Sequence, residues 1–88
     1  MLDKVRMPTA DRVALVVAEV LNKYGVDGPV FPEAELARYG LTSIDMVELM
    51  LGVEAEFDAT IPPAEITLAN FGTISSIAAM VTRLHLEG

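Results

Sequence analysis

Apolar residues along this chain recur at helical intervals and nowhere alternate as a half-buried strand would. Val13, Val16, Val17, Val20, Leu21 and Tyr24 follow i, i+3, i+4 spacing. They predict a first helix from about Ala10 to Tyr24, capped by Thr9 and ended by Gly25. Asp11, Arg12, Glu19, Asn22 and Lys23 fall mostly off that stripe. Its valines are weak helix formers, so packing must hold this helix more than propensity does. Residues 25–41 then carry Gly25, Gly28, Pro29, Pro32 and Gly40, a connection longer than most inside a small domain. Val30, Phe31, Leu36 and Leu41 are expected to pin it to the core, with a helical turn around Glu33–Tyr39.

A second helix is expected from Ser43 to Phe57. Thr42 followed by Asp45 is a capping-box pattern, which makes Thr42 the cap and Ser43 the first helical residue. Met46, Leu49, Met50, Val53 and Phe57 form a core stripe, and Ile44, Glu48, Leu51 and Ala55 form a second, mixed face bordered by Asp45. Exposed apolar residues among carboxylates suit a docking surface; the alternative is that Ile44 and Leu51 are core as well. Asp58 to Pro63 breaks the helix, and Ile61 is expected to point inward. Thr67 can cap a very short third helix, Leu68–Phe71, ended by Gly72. Thr73 can cap a fourth from about Ile74 to Leu84, with the stripe Ile74, Ile77, Ala78, Val81 and Leu84. The expected architecture is all-α: a bundle of three longer helices and one short one, with a long loop between the first two. The chain reads as one domain over residues 1–88, with a flexible lead-in at 1–8 and a frayed tail at 85–88.

Composition narrows what such a bundle does. At 88 residues and 52% hydrophobic, one modest core can form without staples. Cysteine is absent, which excludes disulfides, thiolate metal sites and a nucleophilic thiol supplied by the chain. The start lacks the apolar run of a signal peptide, and no stretch approaches the ~20 apolar residues of a membrane span. A cytoplasmic monomer is the expectation. The formal net charge of −7 argues against nucleic acid as a partner. Between Arg38 and Arg83 there is no Lys or Arg, yet the interval holds Asp45, Glu48, Glu54, Glu56, Asp58 and Glu65. Such a surface would favour basic partners, or would keep a small domain soluble.

Catalytic constellations are missing. The single histidine, His85, lies near the end, far from Ser43 in sequence, so no Ser–His arrangement is supported. No EF-hand, P-loop or Rossmann pattern is present. Ser43 remains: a hydroxyl at a helix start, beside unpaired N–H groups and the positive end of the helix dipole, where a phosphate is stabilised. An acidic helical adaptor that binds a basic partner with Ser43 unmodified is the alternative.

Gly40-Leu41-Thr42-Ser43-Ile44-Asp45-Met46-Val47-Glu48-Leu49 resembles the G-[LX]-D-S-L-x-x-V-E-L segment of acyl carrier proteins and peptidyl carrier domains. The resemblance continues in register through Glu54-Ala55-Glu56-Phe57, Ile61-Pro62 and Asn70-Phe71-Gly72-Thr73-Ile74 to Ile77-Ala78. It implies a four-helix carrier fold, no enzymatic activity, and a 4′-phosphopantetheine arm on Ser43, added from coenzyme A by a phosphopantetheinyl transferase. The arm's thiol would hold acyl or aminoacyl groups as thioesters, supplied by a loading enzyme and passed to a synthase or transferase in fatty-acid, polyketide or nonribosomal-peptide biosynthesis. By the same resemblance Ile44, Asp45, Glu48 and Leu51 match the face that such proteins turn to partner enzymes. Two positions depart from the pattern: Thr42 stands where the usual residue is Asp, and Ile44 where it is Leu. The first removes a negative charge beside the modification site and leaves the matching transferase open. The pieces Met50–Glu54 and Asn70-Phe71 are closer to peptidyl or aminoacyl carriers than to the fatty-acid carrier.

Overall fold

A computed structural model describes residues 7–26 and 28–87; most of the expected lead-in, residues 1–6, lies outside them. Among the described residues three α-helices form: α1 (Thr9–Asn22), α2 (Ser43–Phe57) and α3 (Ile74–Arg83), with 3-10 turns at Leu36–Tyr39 and Pro63–Glu65. No strand occurs among the described residues. The bundle is organised around α1, which packs on both α2 and α3. Val13, Val16, Val17, Val20 and Leu21 of α1 meet Leu49, Val53 and Phe57 of α2 and Ile74, Ile77, Met80 and Val81 of α3, with Leu36, Ile61 and Phe71 closing the core. Met46 and Met50, expected in the core stripe, are only partly buried at its edge. At Gly52 an added Cβ would stand 2.6 Å from Val16 Cγ1. Glycine is what lets α1 and α2 approach there.

α1 begins one residue earlier than expected. Pro8 is its cap, and its carbonyl accepts the N–H groups of Asp11 (3.0 Å) and Arg12 (3.2 Å). Thr9 is therefore helical and does not cap; its hydroxyl donates to the Glu87 carboxylate at 2.6 Å. The helix stops at Asn22, and the chain turns away through Gly25 at φ +76°, a left-handed conformation that glycine adopts without strain. Tyr24 thus lies beyond the helix and is 44% exposed.

Arg12 is the larger surprise on α1, because it is buried. Its Nε lies 3.1 Å from Glu56 Oε2, its Nη2 donates to the Glu56 carbonyl at 2.9 Å, and its guanidinium stacks 4.3 Å from the Phe57 ring centroid. One cation thus closes the C-terminal end of α2 onto the start of α1, and the two helices run antiparallel.

The long loop is held by backbone bonds more than by apolar anchors. Leu36 N–H donates to the Gly72 carbonyl at 2.8 Å, and Ser75 N–H to the Pro32 carbonyl at 2.9 Å. Leu36 is buried and Val30 and Leu41 partly so, but Phe31 is 75% exposed, contrary to its expected anchoring role. The expected short third helix at 68–71 is a single turn. Thr67 Oγ1 and its carbonyl accept the N–H groups of Asn70 (3.1 Å) and Phe71 (3.0 Å), as a cap would. Only Phe71 of that segment is buried, and Leu68 points outward, so no second apolar position holds a longer helix against the core. The expected frayed tail is also corrected as far as Glu87. Leu86 N–H bonds the Val81 carbonyl at 3.0 Å, Leu86 packs against the core, and Glu87 holds Thr9.

Candidate functional site

The capping box predicted for α2 is complete. Thr42 Oγ1 accepts the Asp45 N–H at 3.4 Å, and Asp45 Oδ2 accepts the Thr42 N–H at 2.7 Å. Gly40, at φ +83°, closes the preceding 3-10 turn and sets the chain up for that start. The box uses the donors of Thr42 and Asp45 and leaves the Ser43 and Ile44 N–H groups without an acceptor among the described residues. They are donors at the positive end of a 15-residue helix, an arrangement that stabilises an attached phosphate.

Ser43 itself is exposed, and its hydroxyl has no hydrogen-bond partner among the described residues. The other two serines are engaged: Ser75 Oγ donates to Glu33 at 2.9 Å, and Ser76 Oγ to the Asn70 carbonyl at 2.9 Å. Ser43 is thus the serine whose oxygen is accessible and unencumbered. His85 is exposed at the other end of the chain, in a turn at φ 56°.

Around Ser43 the predicted face divides. Ile44 is 71% and Leu51 53% exposed, so both lie outside the core, and Glu48 is exposed as well. Val47 was not singled out from the sequence, yet it is 50% exposed and shares the stripe at i+3 from Ile44 and i−4 from Leu51. Asp45 does not belong to that face. It is 1% exposed and points inward. Its Oδ1 lies 2.7 Å from Lys23 Nζ, while Oδ2 accepts the Thr42 hydroxyl at 3.0 Å and the hydroxyl of Tyr24. Lys23 Nζ also lies 2.7 Å from Glu48 Oε1.

The acidic interval is therefore less acidic in space than in sequence. Lys23 compensates Asp45 and Glu48, Arg12 pairs Glu56, and Arg83 lies 2.6 Å from Glu65 Oε1. Glu54 accepts the Ile61 N–H at 2.7 Å, which fixes the bend after α2. The exposed stripe on α2 is chiefly apolar, with acids at its margins.

The Lys23 ammonium, then the Thr42 N–H, then the Tyr24 hydroxyl hold the Asp45 carboxyl well below its ordinary value of 3.8. A carboxyl with a lowered folded pKa stabilises the fold fully above its unfolded pKa, and that contribution fades as pH falls below it. The urea midpoint of the wild type is expected to fall more between pH 5 and pH 3 than that of Asp45→Asn, in which nothing titrates at this position. Glu65, lowered by Arg83, titrates in both proteins and cancels from the comparison. Equal acid sensitivity would show that Asp45 is not so held.

Residues 11–81 match the family model described as "Phosphopantetheine attachment site". Among similar proteins, aminoacyl carrier proteins 1 and 2 of Bradyrhizobium diazoefficiens are 48% and 45% identical over 71 residues, 81% of this chain and 79% and 80% of theirs. The chloroplastic acyl carrier protein 1 of Hordeum vulgare is 31% identical over 90% of this chain and 51% of its own length. A solved carrier protein, complexed in glycylated form with the glycine:[carrier protein] ligase of Bradyrhizobium japonicum, superposes with a TM-score of 0.72 at 46% identity, covering 83% of this chain and 97% of that one. Families of this kind carry groups on a prosthetic arm and catalyse nothing themselves. An all-α fold, a helix start with free donors and a match over most of the chain lead to one conclusion: the protein belongs to the phosphopantetheine-bearing carrier protein family.

Proposed function

We propose that Ser43 is the residue that bears 4′-phosphopantetheine and that the loaded cargo is an aminoacyl group. The observation that carries the first part is the exposed, partnerless Ser43 hydroxyl at the first position of α2, beside two N–H groups the capping box leaves unused. In the loading step Ser43 Oγ bonds to the phosphorus that carries pantetheine in coenzyme A. The pyrophosphate P–O bond breaks, adenosine 3′,5′-bisphosphate leaves, and the serine proton passes to the transferase. When bound, the arm supplies the thiol that this cysteine-free chain lacks. The aminoacyl reading rests on the aminoacyl carrier proteins at 48% and 45% identity and on the neighbour held by a glycine ligase; the plant acyl carrier protein is more distant at 31%. Partners in this reading are a phosphopantetheinyl transferase, an amino acid ligase that makes the thioester, and an acceptor that takes the group on. Ile44, Val47 and Leu51, with Glu48 at the edge, are the face offered to them. Asp45, inward-facing, is withdrawn from it.

The test is intact-protein mass spectrometry. Incubation with coenzyme A and a broad-specificity transferase is expected to add one phosphopantetheine. Subsequent incubation with ATP, glycine and a glycine:[carrier protein] ligase is expected to add one glycyl group that hydroxylamine removes. Acceptance of fatty acyl groups from an acyl-loading enzyme, with no amino acid accepted from a panel of ligases, would replace the aminoacyl cargo while leaving the carrier role intact.

A further inference from the structure

Asp45 is a buried carboxylate that the carrier chemistry does not use. It lies two residues from Ser43, and it is covered by the side chains of Lys23, Tyr24 and Thr42. Lys23 and Tyr24 come from the short segment between the last residue of α1, Asn22, and the turn at Gly25. Lys23 Nζ reaches two acids one turn apart on α2, Asp45 Oδ1 and Glu48 Oε1, each at 2.7 Å. The Tyr24 hydroxyl donates to Asp45 Oδ2, the oxygen that also accepts the Thr42 N–H (2.7 Å) and hydroxyl (3.0 Å). The segment just beyond α1 is thus fastened to the first turns of α2 along the border of the exposed stripe, through Asp45 and Glu48. Helix ends otherwise fray, because their first turn lacks intrahelical partners. At the other end of the same helix pair, Arg12 and Glu56 make the corresponding closure.

We propose that Lys23, Tyr24 and Asp45 are positioning residues for Ser43: they lock the first turn of α2 against α1, so that the Ser43 hydroxyl is presented to the modifying enzyme in one orientation. This rests on the reading of Ser43 as the attachment site. None of the three needs to touch the incoming coenzyme A. Their contribution is to the geometry of attack, not to docking, which the exposed stripe supplies. A loose first turn would still dock and would react less often per encounter.

The experiment is steady-state transfer from coenzyme A by a broad-specificity phosphopantetheinyl transferase, with the full chain as varied substrate. Measurements are made at a temperature at which circular dichroism shows each variant folded. Lys23→Met is expected to lower kcat about tenfold, since small misplacements of a reacting group are costly, with KM for the carrier within about twofold of wild type. Lys23→Arg, which retains a cation able to reach both acids, is expected to restore most of the loss. Tyr24→Phe removes one hydroxyl from an exposed ring and serves where Lys23→Met does not fold; a smaller loss in kcat is expected. Amide exchange should quicken at Thr42, Asp45 and Met46, whose N–H groups are bonded in the first turn, in both variants and stay unchanged in α3. Unchanged kcat in folded variants would overturn the proposal, as would a rise in KM alone, which would make these residues docking contacts. A wild-type protein that gains no phosphopantetheine at Ser43 would remove the attachment reading instead, and the two failures are therefore distinct.

Discussion

Ser43→Ala is expected to fold as the wild type does and to gain no mass from coenzyme A under any transferase concentration that converts the wild type fully. The two halves of this expectation have separate causes. Capping at the start of α2 is performed by Thr42 and Asp45, and the Ser43 hydroxyl takes no part in it. Alanine at an exposed first helical position without a partner should change stability by no more than about 0.5 kcal/mol. The chemistry, in contrast, needs the oxygen, and the other serines hold theirs in hydrogen bonds to Glu33 and Asn70. Thr42→Ala is the complementary variant. It removes the cap, which should cost about 1 kcal/mol, while leaving the nucleophile in place, so the mass gain should persist. Urea unfolding and intact mass on the two variants separate structure from attachment. A mass gain in Ser43→Ala would move the arm to another hydroxyl and sink the assignment.

How far the residues alone lead depends on whether a feature is local. The bounds of α2 were legible because its cap, its start and its apolar stripe all lie within sixteen consecutive residues, and the structure places the helix at Ser43–Phe57 as expected. The capping role of Thr73 was legible for the same reason, with Ser76 completing the box. What failed depends on contacts distant in sequence. Arg12 was set off the apolar stripe, and its burial was not legible because its partner, Glu56, lies 44 positions away. Asp45 was put on the docking face by the family resemblance, while periodicity placed it only at the border of that face; Lys23 and Tyr24, more than twenty residues earlier, draw it inward. The base-free interval was true of the linear chain, yet Asp45, Glu48, Glu56 and Glu65 are met by cations from outside it. Thr67 was read correctly as a capping residue, but a cap does not make a helix where only one following side chain is buried. Val47 could have been found: it falls at i+3 from Ile44 and i−4 from Leu51, and only the weight placed on the mixed acidic face hid it.

Arg12→Ala is expected to give the second large effect, this time on stability with the modification site untouched. Arg12 and Glu56 side chains are only 10% and 7% exposed, so the pair operates where water screens it little. Removing one partner of a buried pair is far more damaging than its net contribution suggests, because the other charge stays buried with fewer partners. The same guanidinium also bonds the Glu56 carbonyl at the end of α2 and covers the Phe57 ring, so three contacts go at once. A loss of about 3 kcal/mol is expected, which in a domain of this size lowers Tm by more than 10 °C. Arg12→Met with Glu56→Gln keeps the packing volume and removes both charges, and it should recover part of the loss, since a neutral replacement takes the buried carboxylate charge away together with its cation. Because Ser43 sits at the opposite end of α2, Arg12→Ala should still accept the arm at a wild-type rate wherever it is folded. Measuring urea midpoints alongside transfer rates tests both statements. A variant within about 0.5 kcal/mol of wild type would mean that the Arg12–Glu56 closure contributes no more than an exposed ion pair.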